Sequence, residues 1–276
     1  MNLLRLFVLT HCFVFIAAFY CSSQEIKPLV IGKQIDFKSE ILDENRLLNV
    51  YLPDGYHPDS LKKYPVMYVL DGSLHEDFLH IAGIVQYQSY PWINATPASI
   101  VVGISNVDRK RDFTFPTSIE KDKQDFPTTG GSQKFIQFIE EELQPLIATT
   151  FHVSEQKTIV GQSLGGLLAS EILLIKPELF THYLIVSPSI WWDNQSLLNK
   201  IPNLPPTISV HIAVGKEGKV MEKDAQKLYQ LIKKNASEKS FISFEFFKEF
   251  DHADILHQAV FNGFQKLYSV TKNDYL

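Results

Sequence analysis

Apolar residues in this chain fall into short runs separated by stretches of helical spacing. Residues 34–41 and 46–52 predict two strands joined by a turn at Asp43-Glu44-Asn45. Residues 65–70, 99–104, 158–161, 182–187, 208–214 and 241–247 are short runs rich in Val, Ile, Phe and Tyr. Runs of this kind suit strands buried on both faces of a mostly parallel sheet, which makes eight strands in all. Helical patterns fill the gaps. Phe135, Ile136, Ile139, Leu143 and Ile147 recur at helical spacing, and residues 164–175 predict a helix ended by Pro177. In 222–234, Ala225, Leu228, Tyr229 and Ile232 share a face, as do Ile255, Ala259, Phe264 and Leu267 in 254–268. Strands alternating with helices predict an α/β fold with helices on both faces of the sheet. No linker, repeat or low-complexity stretch interrupts residues 24–276, so one domain is expected. The longest irregular stretch, 105–131, is expected either to wall a substrate site or to be a solvated surface loop.

The first 23 residues fall outside this pattern. One basic residue, Arg5, precedes an apolar run over 6–20, and the small residues Cys21-Ser22-Ser23 follow. That is a secretory signal with a cut after Ser23. The run is short for a bilayer span and is broken by Thr10 and His11. Lipid attachment at Cys21 is the alternative, but Tyr20 stands where a small residue is expected. Export to the periplasm or the medium follows. Cys12 and Cys21 are the only cysteines. The processed chain would therefore have no disulfide, thiol nucleophile or thiolate-bound metal. Formal net charge is −5; without Arg5, 25 basic residues face 31 acidic ones, or −6. No basic patch stands out, so nucleic acid is not an expected partner. The sequons at Asn94, Asn194 and Asn235 would matter only in a source that glycosylates.

Candidate chemistry centres on Gly161-Gln162-Ser163-Leu164-Gly165-Gly166, between a predicted strand and a predicted helix. Strand, sharp turn and helix with serine at the apex is the context of a nucleophile elbow. Glycine two before and two after the serine lets strand and helix approach where a side chain would collide. The turn also sets the hydroxyl at a helix N-terminus, where free N–H groups favour developing negative charge. A serine hydroxyl needs a base, and the base needs an orienting acid. In this fold order both come later in the chain, on loops after strands. His57, His75, His80 and His152 precede Ser163; His182 and His211 lie in predicted strands, and His257 on the last helix. His252, just past the last strand, is the expected base. Glu217 is the first carboxylate past 208–214 and the expected acid, with Asp224, Asp251 and Asp193 as alternatives, or no acid at all. Two backbone amides should form an oxyanion hole: Leu164 after the nucleophile, and Ser73 in the loop after 65–70. Asp251, His252, Asp254 and His257 could also be read as a metal cluster, but Asp254 is an ordinary helix N-cap and no metal or cofactor is expected.

These stretches resemble the esterase branch of the α/β-hydrolases that includes esterase D, siderophore esterases, feruloyl esterases and mycolyl transferases. The resemblance rests on Tyr64-Pro65-Val66-Met67-Tyr68-Val69-Leu70-Asp71-Gly72, on Val102-Gly103-Ile104, and on Arg109 to Thr114. It continues through 161–166, Ser187-Pro188-Ser189-Ile190-Trp191-Trp192-Asp193, Val214-Gly215-Lys216-Glu217 and Asp251-His252. Arg111-Asp112-Phe113-Thr114 and the Ser-Pro-Ser-x-Trp-Trp stretch look most like the siderophore-esterase subgroup. The resemblance implies an α/β-hydrolase fold and a Ser163–His252–Glu217 triad, with an oxyanion donor at Ser73. It also implies a small-molecule or glycan-linked ester as substrate, of siderophore-lactone, feruloyl or acetyl-sugar type. Trp191 and Trp192 would line its pocket, or pack in the core. Arg109 and Arg111 would meet an anionic substrate, or pair with nearby acids. Rival expectations are an acyl transferase with the same triad, and a non-catalytic glycan- or siderophore-binding protein.

Overall fold

A computed structural model describes residues 25–269. The chain divides into two units, Met1–Ile31 and Gly32–Leu276. Of the first, residues 25–31 are described and carry neither helix nor strand. The expected signal segment, with Cys12 and Cys21, lies outside the described residues. Among the described residues no helix is long and apolar enough to cross a membrane.

The second unit holds an eight-stranded sheet: β1 (Lys33–Ser39), β2 (Glu44–Tyr51), β3 (Tyr64–Val69), β4 (Ile100–Ile104), β5 (Val153–Gln162), β6 (His182–Val186), β7 (Ser209–Gly215) and β8 (Phe241–Phe247). Their order across the sheet is β1-β2-β4-β3-β5-β6-β7-β8. β1 and β2 run antiparallel to their neighbours and all other pairings are parallel. This is the α/β-hydrolase arrangement. All eight expected strands are present. β5 starts five residues earlier than its apolar run because Ser154, Glu155 and Gln156 occupy its less buried end. In β3 alternate side chains serve opposite faces: Val66 and Tyr68 join one core, Met67 and Val69 the other. Both faces of the sheet are buried, which is why these runs lack polar alternation.

Helices cover both faces. α1 (Phe78–Gln88) follows β3, the short α2 (Arg109–Asp112) and α3 (Glu120–Asp125) follow β4, and α4 (Ser132–Phe138) runs through a π-helical turn, Ile139–Leu143, into α5 (Gln144–Thr150). α6 (Leu164–Ile175), α7 (Lys219–Asn235) and α8 (Ile255–Ser269) follow β5, β7 and β8. α1 and α8 pack on the face of Met67 and Val69; α4, α5, α6 and α7 pack on the other. α1 is not among the expected helices; Phe78, Ile81, Ala82 and Val85 lie on its buried face.

Residues 105–131 are more ordered than a loop. Arg46, 1% exposed, pairs with Asp112 at 2.5 Å and Glu44 at 2.5 Å, and lies over the rings of Phe135 and Phe138. Arg111 grips the same two acids, at 2.6 Å to Glu44 and 2.7 Å to Asp112. The buried Asp112 and the partly exposed Glu44, shared by two guanidinium groups, fix this segment to β2, since the buried Arg46 or Asp112 left unpaired would be costly.

Candidate active site

Ser163 stands between β5 and α6 with φ 59° and ψ −118°, a conformation non-glycine residues avoid. Hydrogen bonds hold it there. Its N–H donates to Val186 at 3.1 Å, and its carbonyl accepts from Leu167 at 2.9 Å and Ser189 at 3.0 Å. A Cβ on Gly161 would lie 2.4 Å from the Gly165 carbonyl oxygen, so strand and helix can approach only with glycine here. The sequence argument is weaker at Gly165, where the nearest atom would be 3.3 Å away, and stronger at the unconsidered Gly166, 2.9 Å from the Val186 carbonyl. Leu164 opens α6, so its N–H has no acceptor inside the helix.

Glu217 and His252 meet beside this turn: Nδ1 of His252 lies 2.5 Å from Oε2 of Glu217. The loops after β7 and β8 make this possible. The Lys216 N–H donates to the Phe250 carbonyl at 2.7 Å, and a Cβ on Gly215 would lie 2.5 Å from the same oxygen. The Glu217 side chain is 2% exposed, that of His252 46%. Oε1 of Glu217 accepts from the Ser187 hydroxyl and from the Gly215 N–H at 2.9 Å. Burial alone would raise the Glu217 pKa. Hydrogen bonds from His252, Ser187 and Gly215 outweigh it, and the carboxyl titrates below the ordinary glutamate range. The Gln162 side chain fixes His252 from the other side, donating to its carbonyl at 2.7 Å. The Ser163 hydroxyl contacts that of Ser189 at 3.4 Å. Ser163 and His252 line one cleft of about 610 Å³, without the direct hydrogen bond that such pairs often tighten only around substrate.

The other acids have other partners, although Asp251 lines the same cleft. Asp224 is buried beside Lys227 on α7, Asp251 accepts from the Ala253 N–H, and Asp193 accepts from Thr117 and Ser118. Asp254 accepts from the Asp251 N–H, and His257 faces His80 rather than His252.

The loop after β3 carries Ser73. Asp71 has φ 55°, and a Cβ on Gly72 would lie 2.3 Å from the Ile104 backbone nitrogen. Ser73 donates to Glu76 through its N–H at 3.3 Å and its hydroxyl at 2.5 Å. Arg109 is not free for a substrate: it forks onto Asp71 at 2.6 and 2.9 Å and reaches the Gln162 carbonyl at 3.4 Å. Asn106 donates to Asp71 at 2.7 Å. Arg109 thus ties the Ser73 loop to the residue before Ser163. Arg111 belongs to the buried network described above, away from the cleft.

Trp191 lines the cleft with Ser163; Trp192 is fully buried and donates from Nε1 to the Phe115 carbonyl at 2.9 Å. No residue of 105–131 lines this cleft. The expected wall is instead a brace, with Phe126 against Trp191 at 6.2 Å between ring centroids. Sequence reading missed Ser189, Lys216 and Met221 in the cleft and Ser187 on Glu217. The Ser-Pro-Ser stretch was visible, but the partners of its hydroxyls depend on where the β6 and β7 loops meet.

The profile of the family described as "Putative esterase" matches residues 39–259. The ferri-bacillibactin esterase BesA of Bacillus subtilis is 34% identical over 170 residues, 57% of this chain and 59% of that protein. The chain thus spans less than two thirds of that relative's length. Among solved structures, the BES protein of Bacillus cereus is 28% identical, with a TM-score of 0.77 over 89% of this chain and 98% of that one. An IroE-like serine hydrolase of Shewanella oneidensis is 26% identical, with a TM-score of 0.76 over 86% and 80%.

Proposed function

The chain belongs to the Putative esterase family, and from that membership and the geometry of the cleft we propose that it is a serine hydrolase of carboxylic esters. The observation that carries this reading is the 2.5 Å contact between His252 and the buried Glu217, in the cleft that holds the strained Ser163. His252 takes the proton of Ser163 through Nε2 as Oγ attacks the ester carbonyl. Glu217 holds Nδ1–H, which selects the tautomer that accepts at Nε2 and stabilises the imidazolium. The tetrahedral oxyanion accepts from the N–H groups of Leu164 and Ser73, each worth roughly 3–4 kcal/mol in the transition state. The Ser73 N–H must first leave Glu76. His252 then protonates the departing alcohol, and water repeats the cycle on the acyl-enzyme. No cofactor enters these steps.

Siderophore esters are the proposed substrates. Support comes from the similarity to BesA, a ferri-bacillibactin esterase, from the Arg-Asp-Phe-Thr and Ser-Pro-Ser-x-Trp-Trp stretches, and from a cleft lined by Trp191, Met221 and the exposed Lys216. Export is proposed from the N-terminal charge and hydropathy pattern, with residues 24–276 as a single domain.

Wild type and Ser163→Ala should be compared on p-nitrophenyl butyrate and on a catecholate trilactone. We expect at least a ~10³-fold loss of kcat in the variant, and fluorophosphonate labelling of wild type alone. Equal turnover in the two would dismiss the nucleophile. Failure of folded wild type to label would favour a binding protein, and an alcohol-acceptor product in place of the free acid would favour a transferase.

A further inference from the structure

We propose that His80 and His257 form a site for one divalent transition-metal ion of the copper, nickel and zinc class, bridging α1 and α8. Nε2 of His80 and Nδ1 of His257 face each other at 3.0 Å, with ring centroids 4.8 Å apart. Both residues are exposed, so an ion reaches them from solvent. They sit in a hollow of about 310 Å³ completed by Gly83, Ile84, Tyr87 and Phe261.

The spacing is what a shared ion requires. Imidazole nitrogens bind such metals at about 2.0–2.1 Å, so two on adjacent square-planar positions lie about 2.9 Å apart, and two on a tetrahedral ion about 3.4 Å. The observed 3.0 Å matches the first and needs a few tenths of an ångström for the second. Two imidazole lone pairs do not approach this closely unpaired: either a proton lies between the two nitrogens or a metal ion sits to one side of the line that joins them. Ligation needs both rings neutral. On metal binding each ring keeps one proton, on Nδ1 of His80 and Nε2 of His257, so the change is one of tautomer and involves no redox step.

Two imidazoles fill two coordination positions. Among the described residues no third His, Cys, Asp or Glu joins them, and water completes the shell. The intrinsic order of affinity puts Cu(II) above Ni(II) and Zn(II). The placement gives the ion mechanical leverage. α1 begins five residues after Ser73 and α8 three residues after His252, and the two helices pack on one core. An ion across them braces the roots of both loops. The proposal does not rest on the esterase reading.

The test titrates Cu(II) into the metal-free full chain, read by calorimetry and by electron paramagnetic resonance. We expect one ion per chain, two equatorial nitrogens in the resonance spectrum, and a rise in melting temperature with Zn(II). His80→Ala and His257→Ala should each lower affinity at least tenfold, remove one nitrogen from the spectrum and abolish the Zn(II) stabilisation. His57→Ala, which alters another exposed histidine, should change none of these. Metal-free melts of the variants check that both fold. Wild-type affinity and stoichiometry in the double variant would overturn the site, as would a single-nitrogen spectrum in wild type.

Discussion

One oxygen of Glu217 accepts from Ser187 and the Gly215 amide, the other from His252. Glu217→Gln keeps the size of this side chain but loses the charge that stabilises imidazolium. Its kcat should fall by about 10²–10⁴-fold with KM little changed, as initial rates would show. Ser187→Ala removes one donor and should raise the Glu217 pKa. The carboxyl is depressed in the fold, so its stabilisation is full above the unfolded value and is lost as pH falls through the folded one. The variant should therefore be less stable than wild type near neutral pH and lose less on acidification, the two converging as pH falls through the folded value, in urea melts taken from pH 3 to 7. Arg109 acts through its neighbours. Arg109→Lys keeps the charge but cannot fork onto Asp71 while reaching Gln162. The expected result is a kcat loss of about tenfold with nearly unchanged KM. A loss confined to KM would show that Arg109 binds substrate instead.

At the scale of elements, the junction of β5 and α6 depends on the backbones touching. Gly161→Ala places a methyl 2.4 Å from the Gly165 oxygen and should cost at least ~2 kcal/mol or prevent folding, by equilibrium denaturation. Gly83→Ala, mid-helix in α1 with open space where the Cβ would go, should instead stabilise by up to ~1 kcal/mol. The opposite signs follow from contact alone. Local pattern reports a strand or helix but not the neighbour's distance. Ordinary glycine-rich turns and this one therefore look alike until α6 is set against β5. The 105–131 segment illustrates the converse. Its charges look solvated in sequence, yet Arg111 and Asp112 belong to a buried cluster because Arg46 and Glu44 come to them from β2.

Over the whole molecule, buried titratable groups pull stability in opposite directions with pH. His182 and His211 are pushed down to about 4, chiefly by burial. Their contribution is present above about 6.5 and is lost as pH falls towards 4. Glu171, 6% exposed, is pushed up to about 7 by burial, only partly offset by Ser132 and Lys200. Asp77 is pushed up to about 7 by burial and by the charges of Asp71 and Glu76. A raised carboxyl works the other way: the folded state keeps its proton, so stability declines as pH rises from the unfolded value to about 7. Glu171→Gln should flatten that decline, gaining on wild type from pH 5 to pH 8 in thermal melts. A difference that does not vary with pH would mean that Glu171 is ionised throughout.

The alternation of apolar runs with helical spacing determined the eight strands, the principal helices and the α/β class. Side-chain period and burial on both faces are properties of each segment alone. Gly161 to Gly166 and the late positions of Glu217 and His252 determined which residues to consider, because turn geometry and chain order constrain residue type locally. Only the tertiary structure decided their company. It brought Glu217 rather than Asp224 or Asp251 to His252, and gave Glu217 a second donor in Ser187. It also committed Arg109 to Asp71, put Trp191 in the cleft and Trp192 in the core, and set His80 against His257 across 177 residues of chain. Such pairings depend on strand order and loop approach, which are set by the packing of the whole sheet.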